Sequence, residues 1–261
     1  MHCMNPSVGR STIPTLAMLY PEAMKVLARD VYWLNLGIAN AYVLGNPTAF
    51  TLVDTGYPGS LPKIEKQLTA GGFSLSNLKN IFITHAHPDH FGSLAVVLER
   101  KSVPVWASAL EATAIEGKTP LPSGDPSSLS ALGRFMLSQS QKAKPPQSAR
   151  VNHILEHGKQ GQDLSELLPG LSAVWLPGHT PGQLGLWLER ERLLIGADAT
   201  NHFLPWLGFP PAAFTSSLPD AKATIRKMAD MNPQKLAIGH GAPLMEGADR
   251  ALETLAKKLK V

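Results

Sequence analysis

The sequence predicts an α/β fold in which two mixed β-sheets pack face to face and helices cover their outer surfaces. Short apolar runs rich in β-forming residues recur along the chain, each bounded by turn residues. Segments with apolar residues at spacings of three and four accompany them, as expected of helices. These runs form two similar blocks, one before and one after a helix-rich segment at about residues 107–150. That order favours a four-layer arrangement with a helical insert between the blocks.

The first block contains five predicted strands and two predicted helices. Before it, an irregular leader is expected to pass into a short helix around residues 21–29. The predicted strands are 31–36, 41–44, 50–53, 79–84 and 103–106, and the predicted helices are 60–70 and 90–100.

The second block follows the insert and repeats the pattern. Its predicted strands are 151–155, 171–176, 183–188, 192–195 and 235–238, and its helices are 219–231 and a C-terminal segment after residue 250. The insert itself contains two predicted helices, 107–117 and 127–140. We expect residues 1–261 to form a single domain that carries this insert.

Composition limits the classes of function. A hydrophobic content of 44% over 261 residues is enough for a large core. The net charge of +4 comes from scattered cations, which argues against nucleic-acid binding. No apolar run approaches the roughly 20 residues of a membrane span, and the single cysteine, Cys3, is compatible with a reducing cytoplasm. We therefore expect a cytoplasmic protein that acts on a small molecule, without nucleic-acid or membrane partners.

A dense group of metal-binding side chains follows the predicted strand 79–84. The chain reads Thr-His-Ala-His-Pro-Asp-His from residue 84 to residue 90. Side chains alternate along an extended segment, so His85 and His87 point to the same side. Pro88 stops the strand and suits the first turn of a helix, which puts Asp89 and His90 at the corner. Three imidazoles and one carboxylate at this spacing suit zinc or a similar divalent metal.

This His-x-His-x-Asp-His pattern resembles the signature of the metallo-β-lactamase superfamily. The resemblance covers about residues 31–240 outside the insert, and it implies an αββα sandwich with metal ligands along one edge. It also implies three further ligands, each at the end of a strand. The matching residues are His179 in a turn rich in proline and glycine, Asp198 after an apolar run, and His240 after the last predicted strand.

The resemblance assigns these residues to two metal ions that share one ligand. His85, His87 and His179 would hold the first metal; Asp89, His90 and His240 would hold the second; Asp198 would bridge the two. The nitrogen-rich ligand set favours two Zn²⁺ ions, with iron or manganese as alternatives. Asp54, at the end of the predicted strand 50–53, is interpreted as orienting a ligand histidine through hydrogen bonds.

The function implied by the resemblance is hydrolysis at a dinuclear metal centre. A metal-bridging hydroxide would open an ester, a thioester, a lactone or a related bond, with Asp89 and Asp54 as catalytic residues. Two alternatives stay open. One is a β-lactam-hydrolysing enzyme, and the other is a mononuclear iron dioxygenase that acts on a sulfur compound and engages fewer ligands.

Two segments outside the ligand motifs are candidates for substrate contacts. The apolar loop 203–209 is interpreted as a substrate wall, as the contact of a homodimer, or as ordinary core. The insert at 107–150 is expected to cover the metal cleft, with Leu129, Leu132 and Met136 facing it at helical spacing. The simpler interpretation is that this helical face packs on the sandwich.

Overall fold

The computed structural model describes residues 24–156, 158–159, 161–203 and 205–261, which form two β-sheets with helices around them. The first sheet has seven strands, and their order in space is their order in the chain. They are β1 (Lys25–Ala28), β2 (Val31–Asn35), β3 (Asn40–Asn46), β4 (Ala49–Val53), β5 (Leu78–Phe82), β6 (Val105–Ser108) and β7 (His153–Leu155). Strands β1 to β4 pair antiparallel, and β4 to β7 pair parallel.

The second sheet has five strands. They lie in the order β12 (Lys235–Ala237), β11 (Leu193–Ile195), β10 (Leu184–Leu188), β9 (Leu171–Trp175) and β8 (Gln162–Asp163). All of its pairs are antiparallel except β11 with β12. The α-helices of the described chain are α1 (Leu61–Ala70), α2 (Pro88–Phe91), α3 (Leu94–Arg100), α4 (Ala109–Ile115), α5 (Ala131–Ser140), α6 (Leu218–Asp230) and α7 (Ala248–Leu259).

Three apolar layers hold this arrangement together. Ile81 and Phe82 are neighbours in β5 and point to opposite faces of the sheet, and both are fully buried. Ile81 packs in the layer beneath α1, α3 and α4, whereas Phe82 packs between the two sheets with residues such as Leu186. On the far side, Ile225 of α6 and Leu252 of α7 cover the outer face of the second sheet. The predicted four-layer αββα sandwich is therefore confirmed.

One predicted helix is wrong. Residues 25–28 form the strand β1, which pairs antiparallel with β2 across a turn at Asp30, and the start of the predicted helix at 21–23 lies outside the described residues. Asp30 adopts the left-handed backbone conformation that this turn requires (φ 59°). Pairing with β2 buries Leu27 and Ala28, and this tertiary contact outweighs the helical propensity of the segment.

The division between the two blocks also differs from the expectation. Strand β7, which follows the insert, pairs with β6 and completes the first sheet instead of starting the second. Helix α4, at the start of the insert, buries Ala112 and Ile115 in the core beneath the first sheet. The part of the insert that lies outside the sandwich therefore begins after α4.

The predicted helix 90–100 is broken into α2 and α3 at Gly92 and Ser93. A Cβ atom at Gly92 would lie 2.1 Å from the carbonyl oxygen of Pro88 and 2.4 Å from the ring of Pro58. Ser93 accepts a hydrogen bond from the amide of Ser60 and donates one to the carbonyl oxygen of Tyr57. The break therefore seats the loop before α1 against the segment that carries the metal-binding motif.

The rest of the insert forms a small lobe. Leu129 and Leu137 of its α5 region are buried together with Ala213, in the segment before α6. Leu129 therefore packs in this lobe and does not face the cleft. No helix in the described part of the chain is both long enough and apolar enough to cross a membrane.

Candidate metal centre

All seven predicted ligands come together at one edge of the sandwich, in two groups. Within each group the ligand atoms lie within 4.8 Å of one another. We call the first group site 1 (His85, His87, His179) and the second group site 2 (Asp89, His90, Asp198, His240).

The parallel strands explain why these residues meet. Strands β4, β5, β11 and β12 all end at this edge; Asp54 follows β4, and residues of sites 1 and 2 follow the other three. Pro88 begins α2, so Asp89 and His90 occupy its first turn as the sequence predicts. Asp198 lies in a 3₁₀ turn, Ala197–Ala199, directly after β11. His179 lies in the tight connection between β9 and β10.

Each of the five histidines has one ring nitrogen bonded to an oxygen outside the centre. Carbonyl and carboxylate oxygens can only accept, and the two threonine hydroxyls already donate to other groups, so each ring donates its outer N–H. The other nitrogen of each ring then faces the centre, and in a neutral ring its lone pair can bind a metal. The pairs are His85 Nδ1 with Thr84 Oγ1 (3.0 Å), His87 Nε2 with Pro122 O (3.0 Å), His90 Nδ1 with Asp54 Oδ2 (2.8 Å), His179 Nδ1 with Thr215 Oγ1 (3.5 Å) and His240 Nδ1 with Ile38 O (2.9 Å).

Several of the inward-facing atoms lack hydrogen-bond partners. His85 Nε2, His90 Nε2 and Asp198 Oδ1 are buried without a hydrogen bond to any described residue. His87 Nδ1 and His179 Nε2 face each other at 2.9 Å, although the outer protons leave both as acceptors. Buried polar atoms without hydrogen-bond partners are costly, and a cation at the centre would remove that cost. The chemistry of the donors therefore fits a pair of divalent metal ions.

Asp198 lies between the two sites. Its Oδ2 is 2.9 Å from His240 Nε2 and 3.4 Å from His179 Nε2, and its Oδ1 is 3.3 Å from His90 Nε2. The carboxylate therefore reaches nitrogens of both sites. A Cβ atom at Gly239 would lie 1.7 Å from Asp198 Oδ1, so only glycine leaves room for this carboxylate.

Burial keeps the histidines of site 1 neutral. It lowers the pKa of His87 and takes the pKa of His85 well below its usual range, with the neighbouring His90 adding to the effect at His85. Burial and the nearby His87 lower the pKa of His179 to about 3. Neutral imidazole is the form that binds a metal, so site 1 is ready for a cation near neutral pH.

Site 2 has the opposite electrostatic character because it contains two carboxylates. Burial alone would lower the pKa of His240, but Asp198 and Asp89 raise it to about 10. At His90 the same two carboxylates, with Asp54, outweigh burial and hold the pKa well above its usual range. Burial opposes the ionisation of Asp89, yet His90 and His240 lower its pKa to about 2. In site 2 the protons on His90 and His240 balance the charge of the carboxylates, and a bound divalent cation would take over this role.

Asp54 lies behind the centre and contacts a ligand. Its Oδ1 accepts a hydrogen bond from the amide of Thr84, and its Oδ2 accepts from the Thr84 hydroxyl and from His90 Nδ1, all at 2.8 Å. Asp54 itself adopts a left-handed backbone conformation (φ 60°), which aims the carboxylate back at these groups. It therefore orients His90, and through Thr84 it also fixes His85.

Sequence reasoning missed several groups that support the centre. The carbonyl oxygens of Pro122 and Ile38 give no signal in a sequence, because every residue has one. Thr84 and Thr215 are single hydroxyls without a motif. Glu111 is buried beside the ligand loops. In the sequence it stands three residues after Ser108, a spacing typical of a helix cap, and this spacing predicts no contact with the ligands.

Three exposed apolar side chains lie beside the accessible ligands of the centre. Asp89 and His240 are its most accessible ligands, with 15% and 16% of their side chains exposed. The ring of Phe203 lies 5.7 Å from that of His240, and Phe203, Ile38 and Tyr57 are all exposed at this side.

Comparison with known proteins agrees with this geometry. Residues 34–240 match the sequence profile of the metallo-β-lactamase superfamily. The probable metallo-hydrolase YflN of Bacillus subtilis (strain 168) is 32% identical over 237 residues, covering 83% of this chain and 86% of the relative.

Two solved structures have the same fold. A metallo-β-lactamase family protein of Thermus thermophilus aligns with a TM-score of 0.65 at 20% identity, covering 90% of this chain and 81% of that one. BJP-1, a subclass B3 metallo-β-lactamase of Bradyrhizobium japonicum, aligns with a TM-score of 0.63 at 22% identity, covering 92% of each chain. The chain belongs to the metallo-β-lactamase superfamily and is a metallo-hydrolase with a metal-binding cluster of histidines and aspartates.

Proposed function

We propose that the protein is a dinuclear hydrolase, with zinc as the metal, that opens an ester, thioester or lactone bond in a small, largely apolar substrate. The position of Asp198 carries this proposal. One carboxylate within 3.4 Å of nitrogens from both sites is the arrangement that two metal ions need in order to share a ligand. Five inward imidazole nitrogens favour zinc over metals that prefer oxygen.

When bound, such a pair of ions lowers the pKa of a shared water and polarises the group under attack. The chain's own residues supply the positioning. Asp89 is anionic and partly exposed, so it can accept a hydrogen bond from the attacking water and orient it. Asp54 holds His90 by its Nδ1 hydrogen and keeps the opposite nitrogen free.

The accessible side of the centre suits an acyl group. Phe203, Ile38 and Tyr57 offer apolar surface next to His240 and Asp89. The charged partners of the two site 2 aspartates are the ligand histidines. The exposed apolar surface favours a small molecule with an apolar acyl group over the polyanionic backbone of a nucleic acid.

Metal analysis and a substrate panel test the proposal. Protein freed of metal and reloaded with zinc is expected to bind two ions per chain and to hydrolyse aryl esters, thioesters or lactones. A β-lactam and a phosphodiester in the same panel test the other hydrolytic reactions of this fold. One iron per chain, with oxygen consumption on a thiol substrate and no hydrolysis, would replace the proposal with a mononuclear dioxygenase.

A chain-length series tests the substrate class. The ratio of kcat/KM for octanoyl and acetyl esters is expected to fall at least severalfold in Phe203→Ala, because the longer chain loses its contact beside His240. Ile154→Ala, an exposed apolar change in β7 and outside this loop, is the control. An unchanged ratio in Phe203→Ala would exclude this side of the centre as the acyl site.

A further inference from the structure

Glu111 is a buried acid that joins the two chain segments carrying site 1. Its side chain is almost inaccessible to solvent. Its Oε2 accepts a hydrogen bond from the amide of Ala86 at 2.7 Å. Its Oε1 accepts from the Thr180 hydroxyl at 2.6 Å and from the amide of Gly182 at 2.8 Å. Three donors from two loops therefore converge on one carboxylate.

These donors lie directly beside the ligands. Ala86 separates His85 from His87, and Thr180 follows His179. Every member of site 1 is thus adjacent to a residue that Glu111 holds. In the described part of the chain, the carboxylate of Glu111 accepts hydrogen bonds from Ala86, Thr180 and Gly182. None of these residues belongs to site 2 or lies next to one of its members.

The local geometry indicates that this contact is specific. Glu111 is the third residue of α4, and its amide donates to the Ser108 side chain at the helix start. In a capping box, a glutamate at this position accepts a hydrogen bond from the backbone amide of the N-cap residue, here Ser108. Here the carboxylate reaches the ligand loops instead. A Cβ atom at Gly182 would lie 2.8 Å from Glu111 Oε1, so the loop fits closely around it.

We propose that Glu111 is a positioning residue that sets the spacing between the His85–His87 segment and His179, and thereby the affinity and geometry of site 1. This inference rests on the proposed two-metal centre. Three hydrogen bonds from two loops meet on this one side chain, so Glu111 can fix the two loops against each other. A partner that orients ligands in this way typically contributes about 10–100-fold in metal affinity.

Glu111→Gln tests the proposal because glutamine has the same shape as glutamate but only one side-chain oxygen. Its NH₂ group would face at least one of the three donors, so at least one hydrogen bond is lost. Zinc affinity is measured by chelator competition in two parent variants, each of which lacks a ligand of one site and keeps the other site intact. In a His90→Ala background, Glu111→Gln is expected to weaken zinc binding at site 1 about 10–100-fold. In a His179→Ala background, the same change is expected to leave the affinity of site 2 within about twofold of its parent.

Cobalt substitution gives a second measurement. The visible absorption of cobalt at site 1 is expected to shift in Glu111→Gln, because the spacing of the three imidazoles changes. Glu116→Gln is the matched control: it removes the same charge at the end of the same helix, where Glu116 accepts from the amide of Val151. The control is expected to leave both affinities and the spectrum unchanged.

Equal weakening of both sites, in step with a lower melting temperature, would mean that Glu111 only stabilises the fold and would overturn the inference. Unchanged affinity at site 1 would overturn it as well. If Glu111→Gln does not fold, Thr180→Val removes one of the three donors with little change in shape and is expected to show a smaller, still selective loss at site 1. The proposed function fails separately, if the unaltered protein does not bind two ions.

Discussion

At the scale of single residues, the centre depends on side chains whose orientation is fixed by hydrogen bonds. The outer hydrogen bonds leave each imidazole a single nitrogen for a metal, and Asp54 and Thr84 show how firmly this is fixed. The Thr84 hydroxyl donates to Asp54 and receives the His85 Nδ1 hydrogen, so one carboxylate governs the orientation of ligands in both sites. Asp198 then connects the sites on the inner side.

Asp198→Asn is expected to lower the metal content by at least one ion per chain and to reduce hydrolysis by orders of magnitude. A neutral amide cannot bridge two cations as a carboxylate does. Elemental analysis and the rate on an active ester measure the two effects. Asp163→Asn, an exposed change of equal charge, is the control. Full metal content with full activity in Asp198→Asn would contradict the bridging assignment.

Gly239→Ala is expected to disable site 2 while site 1 still binds one ion. The added methyl group would lie 1.7 Å from Asp198 Oδ1 and 2.8 Å from His90 Cε1, so the carboxylate must move away from His90. The metal content is expected to fall from two ions to one, and circular dichroism is expected to show an intact fold. Site 1 is the internal control, and retention of two tightly bound ions would show that the pocket adapts to the methyl group.

The residues that come together at the centre could be located from the sequence because five histidines and two aspartates stand in recognisable patterns at strand ends. The groups that hold them could not. Pro122 and Ile38 act through backbone carbonyls, and Gly239 acts through the side chain that it lacks. Such contributions depend on which chain segments lie next to each other in the folded protein, and a local sequence pattern does not contain this information.

At the scale of elements, the insert contacts the centre from two directions. Pro122, in the loop after α4, accepts the outer hydrogen of His87. Helix α5 packs on the segment around Ala213, which leads into Thr215, the partner of His179. The insert therefore lies against both chain segments of site 1. Its α5 also exposes Phe135 and Leu132, more apolar surface than a solvated helix requires.

Replacing Phe135 and Met136 together with Ala is expected to raise KM for a bulky apolar ester far more than for a small one, with metal content unchanged. The reason is that α5 would cover the bound acyl group. Phe135 is 60% exposed, so its loss is expected to change the free energy of unfolding by no more than about 0.5 kcal/mol. Steady-state kinetics on two esters and a denaturant titration provide the measurements.

Two further variants complete this comparison. Ser138→Ala, on the same helix, is expected to change neither KM value. Leu137→Ala, whose side chain is buried against Ala213, is expected to lower stability. If the double variant lost stability with its relative specificity unchanged, α5 would be a packing element and not a cover.

The elements that sequence patterns predicted well are those whose local preference agrees with their tertiary contacts, such as α1, β5 and α6. The exceptions have identifiable causes. Residues 25–28 become a strand because β2 offers an edge to pair with. The helix after Pro88 breaks at Gly92 and Ser93, where Ser93 bonds to the segment before α1 and Pro58 leaves no room for a side chain at Gly92. In both cases a segment distant in the sequence decides the local structure.

At the scale of the whole molecule, the centre joins the two sheets. His85, His87, Asp89 and His90 follow β5 of the first sheet, whereas His179, Asp198 and His240 follow strands of the second. Direct bonds across the sheets lie at the same edge: Asn40 Nδ2 and Tyr42 Oη both donate to the carbonyl oxygen of Ile238, at 2.8 and 2.6 Å. We therefore expect metal binding to strengthen an interface between the sheets that the polypeptide already makes.

Metal loading is accordingly expected to raise the melting temperature of the whole domain and to slow its unfolding. The unfolded chain does not assemble ligands from both sheets, so binding favours the native state by about 2.7 kcal/mol per site at a metal concentration one hundred times Kd. For a domain of this size that corresponds to about 5–10 °C per site. Calorimetry of the metal-free and zinc-loaded protein measures the difference, with Asp198→Asn expected to show a smaller increase because its shared ligand is lost. Two bound ions with no change in melting temperature or unfolding rate would mean that the metals do not bind across the sheets, and the assignment of ligands to both sheets would fail.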